Sequence, residues 1–355
     1  MSGVVHVVLT GDVDDPTLPS GGNTYDRRVC SGLAARGLDV REHPLAGEWP
    51  RPGSAARVRL AATLARVPSG GVVLIDGLVA CGVPEIIAPE AHRLRVVVLV
   101  HLPLGEEDPE LAAAERATLL AVDTVVATSP WTARRLVHRH GLAADRVQVA
   151  TPGTDPAPLA TGSARGRHLV CIGSLSATKG QDVLVEALAA VADLEWTCDL
   201  VGPLRRAPVF VAGLRRRIAQ HGLAHRLWIT GPQSRERIAD TFAGADLLVL
   251  PSRVESFGMV VTEALARGIP VLAAAVGGVP ETVGSHACGS QDAALLVPPA
   301  DVPALAAALR RWLLDAALRD DLRRGARSRR GSFPGWEVTA GVLAQVLQQR
   351  RPVSC

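Results

Sequence analysis

Short apolar, β-branched runs alternate with Ala-, Leu- and Arg-rich helical stretches along almost the whole chain, and this alternation restricts the fold more than any other feature. In the first half the pattern predicts strands at 4–9, 72–76, 96–101, 124–128 and 147–150, with helices at 24–36, 55–67, 110–120 and 131–140 between them. A strand buried on both faces reads as a continuous apolar run, and such strands alternating with helices make a doubly wound parallel sheet. The stretch 151–167, TPGTDPAPLATGSARGR, is rich in Pro, Gly and Ala without apolar periodicity and reads as an interdomain linker. The pattern then restarts, with strands expected at 168–172, 197–201, 227–230, 247–250 and 271–275 and helices at 182–192, 209–221, 235–243 and 259–267. The tail, 302–349, is expected to be helical with a break near 331–335, its Arg-rich part 319–330 forming a solvated helix face. Two similar α/β domains follow, facing one another. Sheets of this kind bind ligands at the C-terminal ends of their strands, so a shared interdomain cleft is the expected site.

Composition narrows the function. Hydrophobic residues make up 48% and charged residues 21%, which excludes a disordered chain. No apolar run approaches the ~18 residues that span a bilayer. The start, MSGVVHVVLTGD, carries neither a basic leader nor a small-residue cleavage site, so no signal peptide is expected. A net charge of +3 is too small to imply nucleic acid as partner. The cysteines, Cys30, Cys81, Cys171, Cys198, Cys288 and Cys355, form no CxxC or CxH spacing, which suggests neither zinc nor a disulfide framework. A reduced, cytoplasmic protein is expected. Of 38 basic residues, 37 are Arg and one, Lys179, is Lys. Such a bias fits a GC-rich genome. A lysine that persists in it marks a place where a compact ammonium is needed and a planar guanidinium does not serve.

Four segments fall after predicted strands. Pro19-Ser20-Gly21-Gly22-Asn23-Thr24-Tyr25 enters a helix, where glycines permit close backbone approach and free N–H groups favour phosphate. Ile172-Gly173-Ser174-Leu175-Ser176-Ala177-Thr178-Lys179-Gly180 resembles a phosphate loop but is not a Walker A motif, and the chain has no G-x-G-x-x-G. Thr230-Gly231-Pro232-Gln233-Ser234 is a strand end followed by a cap. In Pro251-Ser252-Arg253-Val254-Glu255-Ser256-Phe257-Gly258-Met259-Val260-Val261-Thr262-Glu263, Glu255 precedes a helix and Glu263 lies on it, a little over two turns apart. The rest of that helix is apolar, so Glu263 needs a partner, and sugar or ribose hydroxyls would supply one.

These segments, in this order, resemble the retaining glycosyltransferases of family four. The most specific matches are the E-x(7)-E of Glu255 and Glu263 around Phe257-Gly258, and S-L-x-x-x-K-G ending at Lys179-Gly180. Gly21-Gly22, His101, Pro152-Gly153-Thr154-Asp155 and Gly277-Gly278-Val279-Pro280-Glu281 add to them. The resemblance implies the two-domain GT-B fold: an acceptor domain at 1–160, a donor-nucleotide domain at 161–333, and a C-terminal helix at 334–355 packing back toward the first. It implies a hexose-type sugar transferred from a UDP- or GDP-sugar to a hydroxyl acceptor, without cofactor or metal. By position, Lys179 matches the lysine on the donor diphosphate and Glu263 the carboxylate on the ribose. Glu255 and the amides of Ser256, Phe257 and Gly258, running into Met259, match the pocket of the transferred sugar. Gly22 matches a backbone donor to the diphosphate, His101 the histidine that approaches the sugar, and Gly231 a contact to the base. One departure is Ser174, which stands where the family has Arg; Arg253, Arg205 or Arg206 are candidates to replace it.

Asp12-Val13-Asp14 has D-x-D spacing, but it lies in the first loop of a chain whose diphosphate already has Lys179, so no metal is expected there. The alternatives are an epimerase or phosphorylase of the same architecture, or a non-catalytic sugar-nucleotide-binding protein. The segment 51–67 carries Arg51, Arg57, Arg59 and Arg66 among apolar residues and suggests a basic amphipathic helix. It lacks an aromatic anchor, so packing on the sheet is expected over contact with a membrane surface, and a small soluble acceptor over a lipid.

Overall fold

The computed structural model describes residues 3–163, 165–284 and 292–349. The chain forms two compact units, one of Met1–Asp14, Gly21–Gly153 and Pro334–Cys355, the other of Asp15–Ser20 and Thr154–Phe333.

In the first unit, β1 (Val4–Thr10), β2 (Asp39–Leu45), β3 (Val72–Asp76), β4 (Arg95–Val100), β5 (Thr124–Ala127) and β6 (Val147–Val149) form one sheet. All its pairings are parallel and the order is β2-β1-β3-β4-β5-β6. β3 and β4 are central, which is why they read as uninterrupted Val, Leu and Ile. Val73, Ile75, Val96 and Val98 are at most 1% exposed. The chain runs from β1 out to the edge strand β2 and returns on the other side of β1 to begin β3, setting register His6 to Val73. This reversal puts the loop after β1 beside the ends of β3 and β4, the switch point where such sheets bind ligands.

In the second unit, β7 (His168–Ile172), β8 (Thr197–Val201), β9 (Leu227–Gly231), β10 (Leu247–Leu250), β11 (Val271–Ala274) and β12 (Ala294–Val297) form another all-parallel sheet. Its order is β12-β11-β10-β7-β8-β9. The reversal lies between β7 and β10, paired at Leu169 with Leu247, so the loops leaving these two strands are neighbours. A core of Leu169, Leu184, Leu188, Leu200, Leu309 and Trp312 fills one face of this sheet.

The expected α/β architecture is present, with several corrections. β2 and β12, both edge strands, are additional, as is the helix Pro84–Glu90. The first helix begins at Gly21, so the two glycines are its opening residues. The tail breaks at Asp315 as well, which caps the helix Ala316–Arg329. The Arg-rich segment there is only partly a solvated face. Arg319 donates to the carbonyls of Trp312 and Leu313, Arg323 reaches the buried Asp246, and Arg330 donates to Ala266 and Ala157. The unit boundary falls at Gly153–Thr154, ahead of the expected 160–161. Cys30, Cys81, Cys171 and Cys198 are free and buried, whereas Cys288 and Cys355 lie outside the described residues.

The last helix, Trp336–Gln348, belongs to the first unit. Arg36 donates to the Glu337 carbonyl, Thr339 Oγ1 to Thr151 at 2.7 Å, and the buried Arg95 to the carbonyls of Val346 and Leu347. The basic segment 51–67 is occupied within the same unit: Arg51 pairs with Asp108 and Glu110, Arg57 with Glu85, and Arg59 donates to Ala46. No described helix is long and apolar enough to cross a membrane.

Candidate active site

In the second unit the two loops at the switch point are tied into one structure. After β7 the chain makes a tight turn at Ala177–Lys179 and enters the helix Gln181–Ala189 through Gly180. Gly180 has φ +69°, and a Cβ there would collide with the Pro251 carbonyl of the loop after β10, so only glycine fits. Arg253 completes the tie. Its guanidinium takes both carboxylate oxygens of Asp182 at 2.8 Å and donates to the Ala177 carbonyl at 2.6 Å, while its backbone N–H donates to Thr178. Burial acts against charge on Asp182, but the guanidinium wins and holds the carboxyl below its ordinary value. Arg253 is therefore committed to shaping the lysine turn and is not a free replacement for the missing arginine at position 174.

The turn aims Lys179 at the other loop. Its Nζ lies 2.6 Å from Oε2 of Glu255, with the side chains 28% and 12% exposed. Ser252 Oγ also approaches that oxygen, at 3.4 Å. Glu255 is fixed from its backbone too: its carbonyl accepts from Gly278 N–H at 3.1 Å, and Gly277, at φ +56°, passes so close that a side chain would collide with it. The Phe257 carbonyl accepts from Thr282 Oγ1 at 2.6 Å. The glycine pair at 277–278 thus packs against the segment from Glu255 to Phe257, just before the helix Met259–Leu265 that Gly258 opens.

The structure thus brings Lys179 and Glu255 into direct contact across a separation of 76 residues. Ser174 is in the same loop, its carbonyl bonded to the buried Gln181 at 3.0 Å and its own Oγ buried without a hydrogen-bond partner. Gly231 ends β9, where its carbonyl accepts from Gly202. Glu263 stands half-buried on the Met259 helix, and Arg267 donates to its carbonyl at 2.8 Å. Of the other candidate cations, Arg206 donates to the Leu18 carbonyl. Thr17 hydrogen bonds, and then Arg205 and Arg206, hold Asp15 below its ordinary pKa.

The first unit holds a different group. His101 follows β4, and its Nε2 lies 2.9 Å from Oδ1 of Asp26, on the helix Gly21–Ala35. Asp76 ends β3, and one oxygen from each aspartate and a ring nitrogen lie within 4.8 Å of one another. Tyr25 meets the His101 ring edge-on, centroids 5.2 Å apart, and donates its hydroxyl to Ala150. Burial works against charge on His101, but the Asp26 carboxylate, with Asp76 behind it, pushes its pKa up to about 9. Burial, and then the charge of Asp26, raises Asp76. Asp26 and Asp76 carry no sequence motif; only the topology reveals them. Gly22 lies against the ring, and a Cβ there would sit 3.5 Å from Cδ2, ordinary contact that does not itself demand glycine. In the D-x-D segment, Asp14 is gripped by Arg27 through both oxygens at 2.6 Å.

Two units, each a six-stranded parallel sheet with polar side chains gathered at its switch point, make a double α/β architecture, and comparison with known proteins gives its kind. Residues 18–158 match the family described as Glycosyltransferase Family 4, and residues 163–329 the one described as Glycosyl transferases group 1. The chain belongs to this glycosyltransferase family. It is 33% identical over 281 residues to a D-inositol 3-phosphate glycosyltransferase of Streptosporangium roseum, covering 73% of this chain and 63% of that protein. It is 32% identical over 287 residues to D-inositol 3-phosphate glycosyltransferase 1 of Catenulispora acidiphila, covering 75% and 67%. The chain thus spans about three-fifths to two-thirds of the length of these relatives. Among solved structures, sucrose-phosphate synthase from Thermosynechococcus elongatus superposes with a TM-score of 0.77 at 22% identity, over 97% of this chain and 98% of that one. Anabaena Alr3699/HepE in complex with UDP and glucose superposes with a TM-score of 0.76 at 19% identity, over 99% and 100%. The fold is that of GT-B glycosyltransferases.

Proposed function

We propose that this chain transfers a hexose-type sugar from a nucleotide diphosphate sugar to a hydroxyl of a small soluble acceptor, with retention at the anomeric carbon and without a metal. The observation that carries this reading is the Lys179–Glu255 contact at the β7/β10 switch point. Breaking a sugar–phosphate bond leaves negative charge on the diphosphate and positive charge on the sugar. Lys179 supplies a compact cation for the first, and Glu255, its carboxylate beside it, favours the second. Backbone amides at the start of the Gly21 helix and from Ser256 to Met259 add fixed dipoles. Glu263 serves the ribose hydroxyls, Gly231 the base and His101 the sugar. With the leaving phosphate taking up the acceptor proton, no protein nucleophile is required.

The solved relative bound to UDP makes a UDP-sugar the first donor to test, ahead of a GDP-sugar, and the names of the sequence relatives make an inositol phosphate the first acceptor. Arg51, Arg57 and Arg59, engaged within their own unit, lend no support to a membrane-bound acceptor.

A thermal-shift panel of nucleoside diphosphates and their sugars, followed by mass-spectrometric acceptor screening, tests the donor and acceptor classes. Stabilisation by UDP and UDP-sugar but not by uridine is expected. Proton NMR of the first product should show the donor's anomeric configuration, and inversion would overturn the retaining assignment. Activity should persist in EDTA; loss restored by manganese would overturn metal independence. Turnover without any acceptor to an isomeric sugar nucleotide would instead identify an epimerase.

A further inference from the structure

We propose that Asp26 is a positioning residue for His101: it holds the imidazole by Nε2, so that Nδ1 is the nitrogen presented to a ligand oxygen.

The observations are independent of the motifs. Asp26 is 2% exposed, in the second turn of a helix whose other buried residues are Tyr25, Val29, Cys30 and Leu33. A carboxylate so deeply placed requires a charged or strongly donating partner, and His101 Nε2 at 2.9 Å is that partner. The ring has neighbours on two further sides, and the backbone that carries it is fixed as well. Tyr25 stands edge-on to it, Thr128 Oγ1 donates to the His101 carbonyl at 3.0 Å, and the backbone at Gly22 lies on its Cδ2 edge. Among the described residues His101 makes no other side-chain hydrogen bond, yet 18% of its side chain is open. With Nε2 engaged by Asp26, Nδ1 is the ring nitrogen left for a ligand.

The charged groups around it fix what it offers. Asp26 and Asp76 both act on the ring, with Asp12 acting on Asp76 from the loop after β1. With its pKa pushed up to about 9, the imidazole in this proposal carries both protons near neutrality, which makes Nδ1–H a cationic donor. Within the glycosyltransferase reading, on which this part rests, such a donor suits a hydroxyl oxygen of the transferred sugar, which it holds in place. A neutral carboxamide at position 26 would keep the size but lose the charge that sustains the second proton.

The test uses full-length protein with 15N-labelled histidine, the His101 signal assigned from its loss in His101→Gln. In the unsubstituted protein at pH 7.5 both ring nitrogens should show protonated shifts, and a neutral ring there would overturn the proposal whatever any variant does. In Asp26→Asn the signal should move to a neutral tautomer. UDP release from UDP-glucose, with water as acceptor, should fall roughly tenfold to a hundredfold in kcat, the scale expected for a misplaced group, while UDP affinity holds. Asp26→Glu should recover part of the rate, which a merely structural role would not produce. Unchanged turnover in Asp26→Asn, or a ring that stays doubly protonated, would sink the idea. If the unsubstituted protein turns over no nucleotide sugar, the functional reading fails, while the imidazole spectrum still decides the role of Asp26.

Discussion

The two switch points solve the same problem with opposite choices. In the second unit one cation meets one carboxylate, Lys179 on Glu255, and a second pair, Arg253 on Asp182, braces the turn from behind. Charges there balance, and both carboxylates remain partly open to solvent. In the first unit one imidazole serves two carboxylates in a pocket where Asp26 and Asp76 are at most 4% exposed. An unbalanced, buried cluster has to take up a proton, whereas a balanced, half-open pair can exchange partners. Under the proposed function, the second unit suits a ligand that displaces Glu255 from Lys179, and the first a ring whose charge is set before any ligand arrives.

The sharpest way to break this contrast is at Lys179. Lys179→Ala should weaken UDP binding by roughly tenfold to a hundredfold, the range of a shielded charge-assisted contact, and leave uridine binding unchanged by calorimetry. Lys179→Arg should also be impaired, because the turn delivers a compact ammonium to a short contact. Glu255→Gln removes a competitor for that ammonium, so UDP affinity should not fall while donor turnover does. The double variant should be non-additive, since the two side chains touch. Equal loss of UDP affinity in both single variants would show that Glu255 belongs to the nucleotide site and not to the sugar.

A smaller effect is expected behind the site. Asp182→Asn leaves Arg253 without its bidentate partner and loosens the turn at Ala177. UDP binding should weaken about threefold to tenfold, the scale of one ordinary hydrogen bond lost indirectly, with Lys179 intact. No change would mean that Gly180 and the backbone alone hold the lysine.

The smallest effect is a slope. The His101 pKa is raised from 6.5 to about 9, so the folded form keeps a proton that the unfolded chain gives up. This contribution is fully present below pH 6.5 and is lost as pH rises through 9. Asp76, also raised, acts in the same direction at lower pH. Hydrogen exchange of β3 and β4 amides should therefore speed up from pH 6.5 to 9 beyond its intrinsic rate, and His101→Gln should flatten that excess. An excess that survives the substitution would assign it to another group.

The central strands were legible because burial on both faces leaves only apolar residues. The ranges 168–172, 197–201 and 247–250 agree with β7, β8 and β10 to the residue. β2 was not legible, because an edge strand needs only one good contact: Leu45 is buried, while Asp39, Arg41 and Glu42 face water. β12 is four residues long and only partly buried throughout. At the site, Lys179 and Glu255 stood out because glycines and strand ends punctuate them. Asp26 did not, since its partner lies 75 residues away and a helix offers no local mark for an inward carboxylate. In sequence Arg253 is one of three candidate cations for the ligand. Its true role depends on Asp182, a relation that spacing alone does not express.

The return of the last helix to the first unit bears on the order in which a ribosome can finish this protein. Arg95 is 8% exposed, and two of its hydrogen bonds go to the carbonyls of Val346 and Leu347, 251 and 252 residues downstream. While the second unit is being made, β4 already exists but these acceptors do not, and the helix Gly21–Ala35 has nothing to cover the face that later meets Ala340. The second unit, contiguous from Thr154 to Phe333 apart from six early residues, can close as it emerges. The first in sequence is thus the last to be completed, and a nascent chain stalled before residue 336 carries an unfinished first unit beside a finished second one.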